Sequence, residues 1–199
     1  MNVPALKTLA PGLADPAHDA QRLFRAVLDA SSHPGRIVSL PEAPAGPGGI
    51  SAATAAYLLT LVDRDTPLWL GPAFDLPEVR DFVRFHTGAP IAADRAEAVF
   101  AVLGHDDAAP FDGFVLGTDA YPDRSATLVI EVPVLGAGTA RTWRGPGIDG
   151  QTSVAVAGLS EAFWRDWAAN HGLFPCGVDL VFTAGSQLCA LPRSIAVEV

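Results

Sequence analysis

The chain has 199 residues, a formal net charge of −9, and a composition that is 49% hydrophobic and 18% charged. This length suits a single domain over residues 1–199 that buries roughly 70% of the surface of the unfolded chain, with a flexible tail expected at residues 1–14. The acidic charge argues against nucleic acid and anionic membranes as partners, because both need clustered cations, and no apolar run approaches the roughly 20 residues of a membrane span.

The first predicted element is a helix that begins at Asp15-Pro16. An aspartate side chain caps the free N–H groups of a first turn, and proline fits that turn without losing a hydrogen bond. Pro34-Gly35 is expected to end the helix. The helix is expected to bury one apolar stripe, made of Leu23, Phe24, Val27 and Leu28.

Helix and strand signals alternate along the rest of the chain. The next elements predicted, in order, are a strand at 37–40, a loop at 41–49, a helix at 51–62, a strand at 68–70, and a helix that Asp75 caps and that buries Val79, Phe82, Val83 and His86. They are followed by strands at 98–103, 127–134 and 139–144, a helix from Ser160 to Gly172 carrying Phe163, Trp164 and Trp167, a hairpin of 178–184 and 187–191, and a strand at 195–199 that extends the hairpin. This alternation predicts one layered α/β domain with an antiparallel portion at the C-terminus.

The cysteines and histidines indicate neither a disulfide nor a metal site. In the predicted hairpin, which turns at Gly185-Ser186, Cys189 falls opposite Phe182 and not opposite Cys176. We therefore expect two free thiols, which fits a reducing compartment. The five histidines show no HxxxH or HxH spacing, and no CxxC occurs. A cytoplasmic location is expected, because the N-terminus also lacks the apolar core of a secretion signal.

Common catalytic signatures are missing from the sequence. Lys7 is the one lysine, so a Schiff base with pyridoxal phosphate or a phosphate-binding loop with its lysine is not expected. No GxSxG motif occurs. The one GxGxxG match, Gly145-Pro146-Gly147-Ile148-Asp149-Gly150, cannot cradle a phosphate well because its proline has no N–H. The sequence predicts no catalytic residue, no cofactor and no bound metal.

Arg84 and His86 form one polar constellation, at the end of the third predicted helix. A cation in this position is stabilised by the helix dipole without any ligand. In one interpretation, His86 is a half-buried imidazole that closes the helix. In the other, Arg84 presents its planar guanidinium to a phosphate or a carboxylate.

Three further acidic residues are candidates for a site. Asp63 and Asp65 flank Arg64 in a turn, where they either cap the turn or act on a metal or as a general base. Asp179 lies inside an apolar strand, and burying an unpaired carboxylate is costly. Its partner is expected to be Arg193 or Arg25, in an ion pair that is either structural or catalytic.

The order of these segments resembles one known family over nearly the whole chain, from about residue 15 to residue 199. The most specific segments are Thr66-Pro67-Leu68-Trp69-Leu70, Arg84-Phe85-His86-Thr87 and Pro175-Cys176-Gly177-Val178-Asp179-Leu180. They are accompanied, in chain order, by Phe24-Arg25, Pro34-Gly35, Gly117-Thr118, Ala126-Thr127-Leu128, Gly145-Pro146-Gly147-Ile148, Gly185, Leu188, Ala190, Pro192-Arg193 and Glu198-Val199. The family that they resemble is PhnH, a subunit of the bacterial carbon–phosphorus lyase system for using phosphonates.

The resemblance implies a fold, partners and a pathway. It implies a three-layer α/β/α sandwich with a mixed sheet, similar to the large domain of pyridoxal-phosphate-dependent transferases but without that cofactor. It also implies a homodimer that joins PhnG, PhnI and PhnJ, with PhnL-type partners in the first reaction. That reaction transfers a phosphonate onto the ribose of ATP with release of adenine, before a radical step on PhnJ. The family supplies no catalytic residue to carry over.

Two interpretations of function remain open at this point. In the first, the chain is an accessory assembly subunit, and the Arg84-Phe85-His86-Thr87 segment is structural or contacts a sister subunit. In the second, the chain binds a phosphonate or a nucleotide, with Arg84, Arg25 or Arg193 on the anion. The missing catalytic signatures favour the first, and nothing in the sequence supports a free-standing hydrolase.

Overall fold

Four α-helices and eleven β-strands occur in residues 9–40 and 42–198, the part of the chain that the computed structural model describes. The helices are α1 (Pro16–Ser32), α2 (Ala52–Leu61), α3 (Pro77–His86) and α4 (Glu161–His171). The strands are β1 (Val38–Ser39), β2 (Leu68–Leu70), β3 (Phe100–Gly104), β4 (Leu116–Thr118), β5 (Tyr121–Ser125), β6 (Thr127–Glu131), β7 (Leu135–Arg144), β8 (Thr152–Val156), β9 (Asp179–Ala184), β10 (Gln187–Leu191) and β11 (Ala196–Val197). Lys7, placed by the sequence in a flexible tail, lies outside the described residues.

A mixed six-stranded sheet in the order β1-β10-β9-β6-β3-β2 forms the centre of the fold. The strands β2, β3, β6 and β9 run parallel to one another, and β10 runs antiparallel to β9. The edge strand β1 pairs antiparallel with β10 and so has the same direction as the four parallel strands. The predicted hairpin of β9 and β10 is confirmed, and it pairs Cys189 with Phe182 as expected. Cys176 and Cys189 are both free.

The two faces of this sheet are covered by different layers. On β9, Val181 belongs to the core formed with α1, α2 and α3. Its neighbours Leu180 and Phe182 belong to a second core, formed with α4 and a small sheet in the order β11-β7-β8. The predicted α/β class with a mixed sheet is thus confirmed, and the second outer layer combines a helix with strands. Among the described helices, none has both the length and the apolar character needed to cross a membrane.

The predicted start of α1 is confirmed, but half of its apolar stripe is wrong. Asp15 accepts a hydrogen bond from the backbone N–H of His18, as an N-cap does. Phe24 and Leu28 are 47% and 55% exposed. Each lies one residue, or about 100° around the helix, beyond the buried row, so the sheet does not cover it. The buried side chains of α1 are Asp19, Leu23, Val27 and Ala30.

Two helix boundaries also differ from the prediction. Leu76, not Asp75, is the N-cap of α3. The Asp75 carboxylate instead accepts a hydrogen bond from Arg80 Nη2 at 2.8 Å, and this bonding lowers the pKa of Asp75. A bidentate pair with arginine satisfies the carboxylate without capping the helix. Gly172, which the sequence predicts one residue beyond the C-cap of this last helix, is the C-cap residue of α4 itself, with φ of −63°.

The strand predictions were incomplete. The sequence missed β4, β5 and β8, and it shortened β7 by four residues. The last strand, β11, does not extend the hairpin: it pairs with β7, with Ala196 opposite Arg144. Pro192 has no N–H to continue a ladder, so β10 ends at Leu191 and the chain turns to the second sheet. Val199, the end of the predicted strand, lies outside the described residues.

Candidate functional site

Asp179 and Arg193 meet where β9 begins and just after β10 ends. The carboxylate oxygen Oδ1 of Asp179 accepts hydrogen bonds from the backbone N–H of Arg193 at 2.8 Å and from its Nε at 3.1 Å. Oδ2 accepts a further hydrogen bond from Nη2. Of the two partners that the sequence suggested for Asp179, the structure therefore brings Arg193 to it, whereas Arg25 is exposed on α1.

The guanidinium of Arg193 is fully engaged within the protein. Nη1 donates to the carbonyl oxygen of Pro122 at 2.6 Å and lies 3.5 Å from that of Pro175. Nη2 donates to the Ser125 hydroxyl as well as to Asp179. A guanidinium has five N–H donors, and these contacts account for all of them. Arg193 thus ties the β4–β5 hairpin to the central sheet and has no donor left for an anion.

A cavity of about 250 Å³ lies beside Asp179, on the sheet face that α1 and α2 cover. The residues that line it are Ser31, Tyr57, Thr127, Asp179, Leu180, Val181, Ala190 and Pro192. Tyr57 is only 4% exposed, and its hydroxyl has no hydrogen-bond partner among the described residues. Burial and the nearby Asp179 carboxylate raise the pKa of Tyr57, so the hydroxyl keeps its proton.

Sequence reasoning missed Tyr57. The helix α2 reads AATAAYLLTL, in which the tyrosine was counted with the apolar residues. The signal that could have identified it is its hydroxyl, because a buried tyrosine O–H usually needs a hydrogen-bond partner. Within this helix, only two threonine side chains offer a hydroxyl as that partner. Thr54 bonds to Thr183 and Thr60 to the Ala56 carbonyl, so neither serves Tyr57.

In the segment from Arg84 to His86, one side chain is structural and two are exposed. His86 is half-buried, and its Nε2 lies 3.0 Å from the carbonyl oxygen of Ala10, to which it donates. Its ring centroid lies 4.8 Å from that of Phe82. This supports the interpretation of His86 as a satisfied imidazole. Arg84 is exposed, and Phe85 is 73% exposed, so both project into solvent from the end of α3.

Asp63 and Asp65 lie in a self-contained turn. Asp63 Oδ1 accepts a hydrogen bond from the Asp65 backbone N–H at 2.9 Å. The Thr66 hydroxyl accepts from the Asp63 N–H at 2.8 Å. These are the contacts of side chains that cap a turn. Within residues 9–40 and 42–198, no group of three or more His, Cys, Asp or Glu side chains could hold a metal ion.

A second cavity, of about 340 Å³, lies at the carboxyl ends of β2, β3 and β6. Glu131 lines it, together with His105 and Asp107. Glu131 Oε1 accepts a hydrogen bond from the Ser51 N–H at the start of α2, at 2.5 Å. Burial nevertheless raises the pKa of Glu131, outweighing the opposite effect of the hydrogen bonds from Thr54 and Ser51. Sequence reasoning did not single out this carboxyl group.

Replacing Glu131 with glutamine is expected to become more stabilising, relative to wild type, as pH rises. In wild type, the folded-state pKa of Glu131 lies above the ordinary value of 4.5. The contribution of its carboxyl group to stability is therefore fully present below pH 4.5 and is lost as pH rises through the folded-state pKa. The amide carries no charge to desolvate and can still accept from Ser51. Urea unfolding at about pH 3.5 and about pH 7 should show that the variant gains stability relative to wild type at the higher pH.

The exposed Glu78, at the start of α3, provides the control for this substitution. Glu78→Gln removes the same charge at a place where burial imposes no cost, so it should show no comparable gain with pH. If the difference in free energy of unfolding between wild type and the Glu131→Gln variant does not change with pH, the effect assigned to burial is wrong.

Comparison with known proteins gives a consistent result over most of the chain. The model of a family described as bacterial phosphonate metabolism protein (PhnH) matches residues 11–198. A Rhizobium meliloti (strain 1021) protein named alpha-D-ribose 1-methylphosphonate 5-triphosphate synthase subunit PhnH is 44% identical over 186 residues, 93% of each chain. A Stutzerimonas stutzeri protein named putative C-P lyase subunit protein HtxG is 30% identical over 180 residues, 90% of this chain and 86% of the relative.

Proposed function

Because this chain belongs to the PhnH family of bacterial phosphonate metabolism proteins, we propose that it is an accessory subunit of alpha-D-ribose 1-methylphosphonate 5-triphosphate synthase. The observation that carries this proposal is the 44% identity to a relative of that name over 93% of both chains. The second relative, named as a C-P lyase subunit, belongs to the same chemistry. In this function a phosphonate is transferred onto the ribose of ATP, and adenine leaves.

The role is assembly more than chemistry. The N–H groups of Arg193 donate to other groups of the protein, and His86 donates to the Ala10 carbonyl before α1. Asp63 caps its own turn. These contacts support a subunit that acts with others. Its partners are PhnG, PhnI, PhnJ and PhnL-type subunits and a second copy of the chain, in the cytoplasm. The chain forms one domain whose fold is related to the large domain of pyridoxal-phosphate-dependent transferases, without their cofactor.

The proposed contact with a sister subunit lies at the end of α3. A phenylalanine that is 73% exposed beside an exposed arginine is typical of an interface anchor, since aromatic and arginine side chains dominate binding energy at interfaces. Phe85 and Arg84 both project from this helix end, and His86 fixes the backbone beside them through Ala10.

Phe85→Ala is expected to weaken co-purification with the PhnG, PhnI and PhnJ subunits by about tenfold or more, while the variant stays folded. Co-expression with an affinity tag on a partner subunit measures this loss. Phe174→Ala is the matched control, because Phe174 is also exposed but follows α4. If wild type fails to co-purify, the assembly role is wrong. If wild type and both variants co-purify equally, only the location of the contact is wrong.

The second candidate function is binding of a phosphonate or nucleotide anion by arginine. Arg84 and Arg25 are exposed, and they carry this alternative now that Arg193 is engaged with Asp179. Calorimetry of the isolated protein with methylphosphonate or ATP tests it. Micromolar binding that Arg84→Ala abolishes would replace the assembly role, and the absence of binding in the micromolar range is the expected result.

A further inference from the structure

The cavity beside Tyr57 has polar groups that the proposed assembly role leaves without a task. We propose that this cavity binds the hydroxyl groups of a neutral sugar, namely the ribose moiety of the nucleotide on which the synthase acts. The sugar identity rests on the proposed function, whereas the hydroxyl-binding chemistry rests on the cavity itself.

The first support is the position of the tyrosine hydroxyl. Tyr57 is almost fully buried, lines the cavity, and has no hydrogen-bond partner among the described residues. The hydroxyl is not among the fully buried polar atoms that lack a partner, so it opens onto the cavity, where water or a ligand can pair it. The Tyr57 ring is held edge-on by Phe100, with centroids 6.1 Å apart, so the hydroxyl is held in place before any ligand arrives.

The second support is that the other polar groups converge on the same space. Thr127 begins β6 and Asp179 begins the adjacent parallel strand β9, where the two residues are register partners. Their neighbours Leu128 and Leu180 belong to the core on the opposite face of the sheet. Because side chains alternate along a strand, Thr127 and Asp179 therefore point to the face that carries Tyr57.

The third support is charge, which selects a neutral ligand. None of the residues that line the cavity is a cation, and Arg193 approaches Asp179 while donating to Pro122 and Ser125 on the β5 hairpin. A phosphonate or phosphate would meet a carboxylate with no free positive charge beside it. Sugar hydroxyls can donate to a carboxylate oxygen and accept from the tyrosine O–H, so they complement both groups.

The size of the cavity agrees with a sugar ring. A water molecule occupies about 30 Å³ of liquid, so about 250 Å³ corresponds to roughly eight waters. A pentose has a comparable number of heavy atoms. The cavity is too small for a complete nucleoside triphosphate, so the base and the phosphates would lie outside it.

The experiment uses the full chain with isotopically labelled tyrosine, because the protein has only two tyrosines. Tyr57 lines the cavity, and Tyr121 on β5 is 53% exposed and serves as an internal control. Titration with D-ribose in the millimolar range should shift the Tyr57 ring signals and leave those of Tyr121 unchanged. Adenosine should produce the same selective shift, whereas methylphosphonate should produce none.

Two variants test the chemistry of the contact. Tyr57→Phe keeps the ring and removes the hydroxyl, and it should weaken ribose binding by about tenfold, with Tyr121→Phe as the matched control. Thr127→Val removes a hydroxyl without removing β-branching, and it keeps the test available if Tyr57→Phe does not fold. Ribose binding to these variants can be followed by calorimetry.

Three outcomes would overturn the proposal. One is that neither D-ribose nor adenosine shifts the Tyr57 signals, in which case the cavity holds water alone. The second is a Tyr57 shift with methylphosphonate and not with ribose. The third is ribose binding that Tyr57→Phe and Thr127→Val leave unchanged. Each is distinguishable from a failure of the proposed function, because co-purification with the partner subunits is measured separately.

Discussion

Replacing Asp179 with alanine is expected to lower the free energy of unfolding by about 3 kcal/mol. The substitution leaves the Arg193 guanidinium, whose side chain is only 13% exposed, without its counter-charge. Removing one partner of a buried ion pair costs more than the pair contributes, because the remaining charge stays desolvated. Arg193 also joins Pro122 and Ser125 to the central sheet, so its displacement should loosen the β4–β5 hairpin.

Urea unfolding followed by tryptophan fluorescence measures this loss, and an exposed ion pair supplies the control. Arg144 and Glu198 pair at 2.5 Å, but both side chains are more than half exposed. Glu198→Ala is expected to change stability by less than about 0.5 kcal/mol, as exposed pairs typically do. Equal losses in Asp179→Ala and Glu198→Ala would show that the Asp179 pair is solvated and that its burial contributes nothing.

Part of the candidate site followed from the sequence. A carboxylate between Val178 and Leu180 in an apolar strand needs a partner, and the hairpin geometry made Arg193 a candidate. The choice between Arg193 and Arg25 did not follow, because it depends on where α1 lies against the sheet. The position of the Tyr57 hydroxyl beside Asp179 did not follow from the sequence either. A tyrosine in an apolar helix is ordinary, and only the folded structure shows its hydroxyl facing a cavity beside Asp179.

The fold shows the same division between local and tertiary information. The ends of β2 and β10 followed from apolar runs bounded by proline and turn residues. The strands β4 and β5 did not, because Tyr121–Ser125 is mostly exposed and polar and pairs only with its hairpin partner. The exposed Phe24 likewise depends on tertiary structure. Helical periodicity locates a stripe, but it does not decide which edge of that stripe the sheet covers.

Phe182→Ala is expected to lower the free energy of unfolding by about 3–5 kcal/mol. Phe182 on β9 is fully buried. Its ring centroid lies 6.0 Å from that of Phe163, 6.4 Å from that of Trp164 and 6.5 Å from that of Trp143. The substitution leaves a cavity where α4 and the β7–β8 sheet meet the central sheet, and rigid aromatic neighbours collapse into such a space poorly.

Phe85→Ala is the matched control for this loss. It deletes the same ring from a side chain that is 73% exposed, so unfolding should change by less than about 0.5 kcal/mol. Urea unfolding gives both values, and near-ultraviolet circular dichroism should lose tryptophan signal only in Phe182→Ala. A loss as small as that of Phe85→Ala would mean that the second layer is not packed on the sheet. The paired result separates two kinds of phenylalanine: Phe182 packs the layers together, whereas Phe85 lies exposed at the end of α3.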